Sequence, residues 1–277
     1  MSRLYGKNFS PAYVENELRK LNQALNEKLR IYVFGGAVMA MNGFKDGTKD
    51  LDILTEDDRS QEILIRSLIK CNYHLLQIQD LTKPYQELSA TTLENIDSFR
   101  WEIFVKYVSK KLALTQTMEQ RAKRMYTGSL LTVLMLSKED IFLLKGMTER
   151  DRDLEDMHIL VQSGIDYNVI LQECTGQSQS DTRGNIWEAS LYEKLMELEN
   201  KYGVRVPIMK ELKKIAEDKM LIAPIKRILQ ARSVSRDEIL NALTSLKSED
   251  VDYALEFLMK RKYVVQSQDG KFIWGKA

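Results

Sequence analysis

The run Ile31-Tyr32-Val33-Phe34, wholly apolar and cut off by Gly35-Gly36, restricts the fold more than any other part of the chain. Four apolar residues ended by glycine read as a buried strand running into a tight turn. A buried strand needs a cover, and the residues before it offer one. Ser10 and Pro11 suit the N-cap and first helical position, and Tyr13, Val14, Leu18, Leu21 and Leu25 recur at helical spacing, which predicts an amphipathic helix over residues 11–29. Past the glycines, a short helix over 37–41 and a polar loop over 42–49 lead to Asp50-Leu51-Asp52-Ile53-Leu54. Strand alternation puts Leu51 and Ile53 on one face and both carboxylates on the other.

Further elements follow by the same reading. Helical spacing returns over 61–69, and 73–78 reads as a strand. A long polar loop then precedes the strand 99–105, in which Phe99, Trp101, Ile103 and Val105 alternate with Arg100, Glu102 and Phe104. Residues 130–136 make another strand, and Ser137 with Asp140 forms a capping box opening a helix that carries Ile141, Leu144 and Lys145. Helical patterns continue over 149–162, 166–174, 185–202 and 206–220, punctuated by Gly164, Gly176 and Gly203, and the polar stretch 176–184 reads as a linker. Near the end, helices over 225–230, from the capping box Ser235 to Glu238, and over 249–262 precede strands 263–266 and 271–274, joined through Asp269-Gly270. Three helices and a hairpin predict a winged helix. The expected fold class is α+β: a mixed sheet with helices, a helical region, and a C-terminal winged-helix domain, divided at 1–175, 176–222 and 223–277.

Composition excludes several classes. The 41 basic and 40 acidic side chains of the 277-residue chain nearly cancel, so no global field draws it to nucleic acid or an anionic membrane. No stretch approaches the roughly 20 apolar residues of a membrane span, and polar residues follow Met1, so a cytoplasmic protein is expected. Cys71 and Cys174 stand far apart, as do His74 and His158, which argues against a zinc site or a disulfide framework.

Chemistry concentrates in the Asp50-x-Asp52 pair. Neighbours two apart on a strand lie about 6.5 to 7 Å apart, so their carboxylates converge on ions held between them. Magnesium prefers oxygen ligands and keeps positions open for a triphosphate. With a third acid, two ions about 3.5 to 4 Å apart activate a hydroxyl and stabilise leaving pyrophosphate. Glu102, central in an apolar strand, is the candidate third acid, since an unpaired carboxylate there is costly. Gly35 and Gly36 let backbone N–H groups approach phosphate. Read alone, Gly-Gly is an ordinary turn and Asp-x-Asp an ordinary surface pair; order and spacing make them specific.

In that order, Val33-Phe34-Gly35-Gly36 followed by Asp50-Leu51-Asp52-Ile53 resembles the signature of the DNA polymerase beta nucleotidyltransferase superfamily. A second block, Lys145, then Arg152-Asp153 and Asp156, resembles the lysine-to-lysine-aspartate motif of AbiEii-type and related stand-alone nucleotidyltransferases, with Arg152 in place of the second lysine. The resemblance spans about residues 30 to 162. It implies metal-dependent transfer of a nucleoside monophosphate from a triphosphate such as ATP to an RNA, protein or small-molecule acceptor. By that resemblance Asp50, Asp52 and Glu102 are catalytic and hold two Mg2+ ions, or Mn2+ in their stead. Gly35, Gly36, Lys145 and Arg152 bind the nucleotide, and Asp153 and Asp156 orient those bases or the nucleotide. Two other readings stay open: a catalytically degenerate adaptor that binds nucleic acid or protein, and a toxin-like component of a two-gene system. For the second block the plainer reading is a solvated, salt-bridged helix pair. For Glu102 it is a structural partner of Arg100 or Lys106.

Lys106, Lys110, Lys111, Arg121, Lys123 and Arg124 form a basic cluster, opposed only by Glu119, that would line a groove for RNA or triphosphate or make an ordinary solvated face. Tyr107 and Tyr126 beside it are expected in packing more than in base stacking. His158 is expected to be structural. The last predicted helix opens Ser248-Glu249-Asp250-Val251-Asp252, and three acids where a phosphate backbone would approach argue against DNA binding, although Lys260, Arg261 and Lys262 stand at its other end.

Overall fold

The computed structural model describes residues 8–77, 79 and 90–275. Helix α1 (Pro11–Ala24) begins where Ser10 Oγ accepts from the Tyr13 N–H, and it buries Val14, Leu18 and Leu21. It stops short of the expected end because the chain turns extended at Leu25, whose side chain nevertheless stays in the core; apolar spacing overran the helix. Strand β1 (Leu29–Phe34) follows, then α2 (Gly35–Met41), which starts on the first glycine rather than at Ala37. Next come β2 (Asp50–Thr55) and α3 (Asp58–Lys70), capped by Asp57.

The strand expected over 73–78 is reduced to β3 (His74–Leu75); Ile78 and residues 80–89 of the expected polar loop lie outside the described residues. That loop also contains an unforeseen strand, β4 (Thr91–Glu94), too short and polar to announce itself. Strand β5 (Arg100–Val105) is buried along its centre on both faces, and the small hairpin β6 (Tyr107–Val108) and β7 (Leu112–Ala113) leads to α4 (Gln116–Arg121). A second unforeseen strand, β8 (Lys123–Thr127), pairs with β9 (Leu131–Met135). Its charged residues hid it: an edge strand needs no apolar alternation and is kept from aggregating by lysine and arginine.

These strands form one seven-stranded sheet in the order β3-β4-β5-β2-β1-β9-β8. β1 runs antiparallel to β2 and parallel to β9, while β2 and β5 are parallel neighbours. The mixed sheet is as expected, and only pairing across the chain decides that β5 abuts β2.

The helical half opens with α5 (Lys138–Gly146), carrying the anticipated Ser137–Asp140 capping box, and α6 (Asp151–Gln162). Helix α7 (Tyr167–Ser180) takes in residues 176–180, the first part of the linker expected at 176–184. Buried Gln177 exchanges two hydrogen bonds with the Ala113 backbone, at 3.0 and 2.7 Å, so this polar stretch is a packed partner of the β6–β7 hairpin. Helices α8 (Trp187–Tyr202) and α9 (Met209–Glu217) complete the first hydrophobic core, which runs from Phe9 to Leu212. A π-helical turn, Asp218–Ile222, joins α9 to α10 (Ala223–Ala231) without a break.

A second core begins at Ile222 and gathers Ile225, Leu229, Val234, Ile239, Leu255 and Phe272. It is built by α10, α11 (Arg236–Ala242), α12 (Ser248–Lys260) and the antiparallel hairpin β10 (Val264–Gln266) and β11 (Phe272–Trp274), with Val234 bridging to Phe272. Among the described residues no helix is long and apolar enough to cross a membrane.

The basic cluster does not assemble into a groove. Arg121 turns inward to pair with Asp140 and Glu173, each at 2.5 Å, and Lys111 donates to the Met147 carbonyl, whereas Lys123 and Arg124 stand exposed on edge strand β8. Tyr126 packs against the core, and Tyr107 is exposed with Arg183 over its ring. Arg121→Ala would leave the buried Asp140 and Glu173 without their counter-charge and is expected to cost about 3 kcal/mol in urea unfolding, whereas Lys123→Ala should stay within about 0.5 kcal/mol.

Candidate active site

The parallel register of β2 and β5 sets Asp52 directly opposite Glu102 and Asp50 opposite Arg100. Because side chains repeat every second residue, Asp50, Asp52 and Glu102 all face one side of the sheet. They converge there in a cleft whose floor also includes Gly35, Gly36 and Phe104. β1 contributes through its antiparallel pairing, which sets Phe34 opposite Asp52 and so carries the glycine turn to the carboxylates.

Gly35 adopts a left-handed φ of +69°, and a Cβ placed on it would lie 2.0 Å from Asp52 Oδ2. Only glycine allows both the conformation and the approach. Gly36 is different: a Cβ there would meet Thr48 Oγ1 at 3.4 Å, an ordinary contact. The two glycines that look equivalent in sequence are thus unequal in structure.

Electrostatics at the cleft floor are dominated by burial. Withdrawal from water, and then the Asp50 charge, push the Asp52 carboxyl up to about 7, although Arg150 and Lys145 pull it down. Burial also raises Glu102 well above the usual carboxylate range, with Asp52 and Asp50 adding to the effect. Glu102 and Asp52 are hydrogen-bonded to one another, while the buried Glu102 Oε1 has no partner. Among the described residues no three His, Cys, Asp or Glu side chains stand as a preassembled metal cage.

The opposite wall is the junction of α5 and α6. Lys145 is buried between Asp153, at 2.8 Å, and Asp156, at 2.5 Å. Asp153 also accepts from Thr148 Oγ1 at 2.5 Å and Arg150 Nε at 2.8 Å. Burial opposes ionisation of Asp153, but Lys145 and Arg150 more than offset it and bring its pKa down to about 2. The solvated salt bridges that helical spacing alone permits are here a buried network. Asp153 is fully enclosed behind the wall, whereas Lys145, Arg152 and Asp156 face the cleft.

Sequence reasoning missed two cleft residues. Lys45, in the loop after α2, pairs with Asp156 at 2.5 Å. Arg150, the residue before α6, lines the cleft and acts electrostatically on both Asp52 and Glu102. No periodicity signalled Arg150, which is the N-cap residue just outside the helix Asp151–Gln162 and reaches the cleft only through the tertiary packing. Asp50, Lys45 and Arg152 also border a second, more open depression that extends past Lys49 and Glu155. His158 is structural, stacked on Tyr202 at 4.3 Å.

Two outcomes test this geometry. Gly35→Ala is expected to lower stability by at least about 1 kcal/mol in urea unfolding, while Gly36→Ala should be neutral or stabilising, since it removes glycine from a helix. Asp52 holds its proton more tightly folded than unfolded. Its contribution to stability is therefore complete below the ordinary value of 3.8 and is lost as pH rises through about 7. In the presence of chelator the melting temperature should fall across that window, and Asp52→Asn should flatten the decline.

No curated protein matches this chain by sequence. Among solved structures, a crystal structure of a candidate nucleotidyltransferase from H. pylori is similar, with 13% identity, a TM-score of 0.35, and coverage of 75% of this chain and 99% of that one. A family profile described as nucleotidyltransferase of unknown function (DUF6036) matches residues 12–182, from α1 through α7 and so across every element of the cleft. With more than half of its length inside that match, the chain belongs to this nucleotidyltransferase family.

Proposed function

We propose that the protein transfers a nucleoside monophosphate from a nucleoside triphosphate to an acceptor hydroxyl, with divalent cations bound at Asp50, Asp52 and Glu102. The observation that carries this reading is the convergence of three carboxylates from neighbouring strands beside Gly35. Their donor set suits magnesium or manganese: all oxygen, mutually repelling, with a buried Glu102 oxygen that lacks a partner. Such ions, when bound, supply charge neutralisation for the triphosphate and a lowered pKa for a coordinated hydroxyl.

The remaining work falls to the chain. Gly35 and Gly36 let the phosphate tail lie against the backbone, while Arg150 and Arg152 offset its charge. Lys145 is braced by Asp153 and Asp156, which keeps a buried cation facing the cleft. Burial and the neighbouring acids favour the protonated form of Glu102, so it must first be ionised beside bound cations; once ionised, it is the group to accept the acceptor's proton. The acceptor oxygen then bonds to the α-phosphorus, the bond between the α- and β-phosphates breaks, and pyrophosphate leaves. In this reading the triphosphate lies over the cleft that Gly35, Gly36 and Asp52 line, and the acceptor approaches through the more open depression that Asp50 also borders. The C-terminal helices and hairpin have the composition of a winged helix that does not read duplex DNA, because Glu249, Asp250 and Asp252 occupy the start of α12.

Incubation with labelled nucleoside triphosphates and magnesium should label the protein or an added acceptor. Chelation, or Asp50→Asn with Asp52→Asn, should reduce labelling more than about a hundredfold. Undiminished labelling by the double variant would falsify the reading and leave a binding module in its place.

A further inference from the structure

Outside the family match, the seam between α9–α10 and the C-terminal hairpin forms an open groove with an unusual concentration of rings and cations. Tyr263 and Trp274 stack within 9° of parallel at 5.8 Å, and Tyr253 stacks on Phe257 at 6.4 Å. Tyr253 and Tyr263 remain 46% and 44% exposed, so each ring keeps a face toward solvent. Large aromatic area left open in a concave surface rimmed by polar residues marks a binding site. A cation accompanies each ring pair: Lys226 lies 5.3 Å from the Trp274 centroid, and Arg261 lies 4.5 Å from that of Phe257.

We infer that this groove binds single-stranded RNA. Open aromatic faces stack on unpaired bases, and a cation beside each ring places positive charge where the following phosphate runs. Lys260 and Lys262 flank Arg261 on the exposed end of α12 and extend the same positive edge. Two acids in the groove favour RNA in particular. Glu217 and Asp218 line the groove from α9 and the π turn, and carboxylates repel phosphate but accept hydrogen bonds from a ribose 2′-hydroxyl. Glu217 is already fixed in place, accepting from Tyr253 Oη at 3.3 Å. A duplex is disfavoured because the opposite end of α12 is acidic, and a proline-rich peptide gains nothing from the paired cations.

Binding of a labelled twelve-residue oligouridylate to the full chain, by fluorescence anisotropy in chelator and without nucleotide, tests this independently of transfer. Tyr253→Ala and Tyr263→Ala should each weaken binding about tenfold, while Tyr263→Phe binds as the unaltered protein does. Lys226→Ala with Arg261→Ala should lower the slope of log affinity against log salt by roughly 0.7 for each phosphate no longer neutralised. Asp52→Asn should bind unchanged, so an inactive transferase with intact RNA binding separates the two proposals. Affinity unaffected by the alanine variants, equal affinity for oligothymidylate, or preference for a proline-rich peptide would each overturn the assignment.

Discussion

Asp52 and Glu102, two carboxyls buried side by side on neighbouring strands beside the charge of Asp50, resist losing their protons without a counter-charge, and the cleft is arranged around that constraint. Desolvation raises the cost of each charge, and proximity raises it again. The sheet imposes the proximity: once β2 and β5 pair in parallel, Asp52 and Glu102 are held at the separation of adjacent strands, roughly 5 Å at the backbone. A fold that only needed a stable sheet would place apolar side chains at these positions. Holding acids there instead keeps Asp52 and Glu102 inclined to bind their protons.

The compensating charge is itself held by acids. Lys145 is buried between Asp153 and Asp156, and Arg150 is paired with Asp153, so the positive charges of the wall opposite the carboxylates are each held by an acid. This network belongs to the junction of two helices, α5 and α6, and the start of α5 is fixed by the Ser137–Asp140 capping box. Asp140 serves twice, closing that cap and anchoring Arg121, which also holds Glu173 of α7. The cap and the inward arginine thus share one buried carboxylate on the helix that carries Lys145.

The C-terminal unit has its own core and joins the first through a continuous helix with a π turn in the middle. Such turns leave a local irregularity in helical hydrogen bonding and are often found where a surface is shaped for binding. Here the turn contributes Asp218 to the aromatic groove.

Local sequence determined much of the site. The apolar run before Gly35, the alternation that puts Asp50 and Asp52 on one face, the strand holding Glu102 and the capped helix carrying Lys145 were all readable, because each is set by periodicities of two or 3.6 residues acting over a few neighbours. Tertiary structure alone decided that β5 lies beside β2, that Gly35 rather than Gly36 meets Asp52, and that Arg150 and Lys45 reach the cleft. It also decided that α7 runs on through the polar residues 176–180 and that β8 is a strand, since the partners that justify those conformations, Ala113 and β9, come from other parts of the chain. The physical division is between propensity, which a residue carries with its neighbours, and pairing, which exists only after remote segments have met.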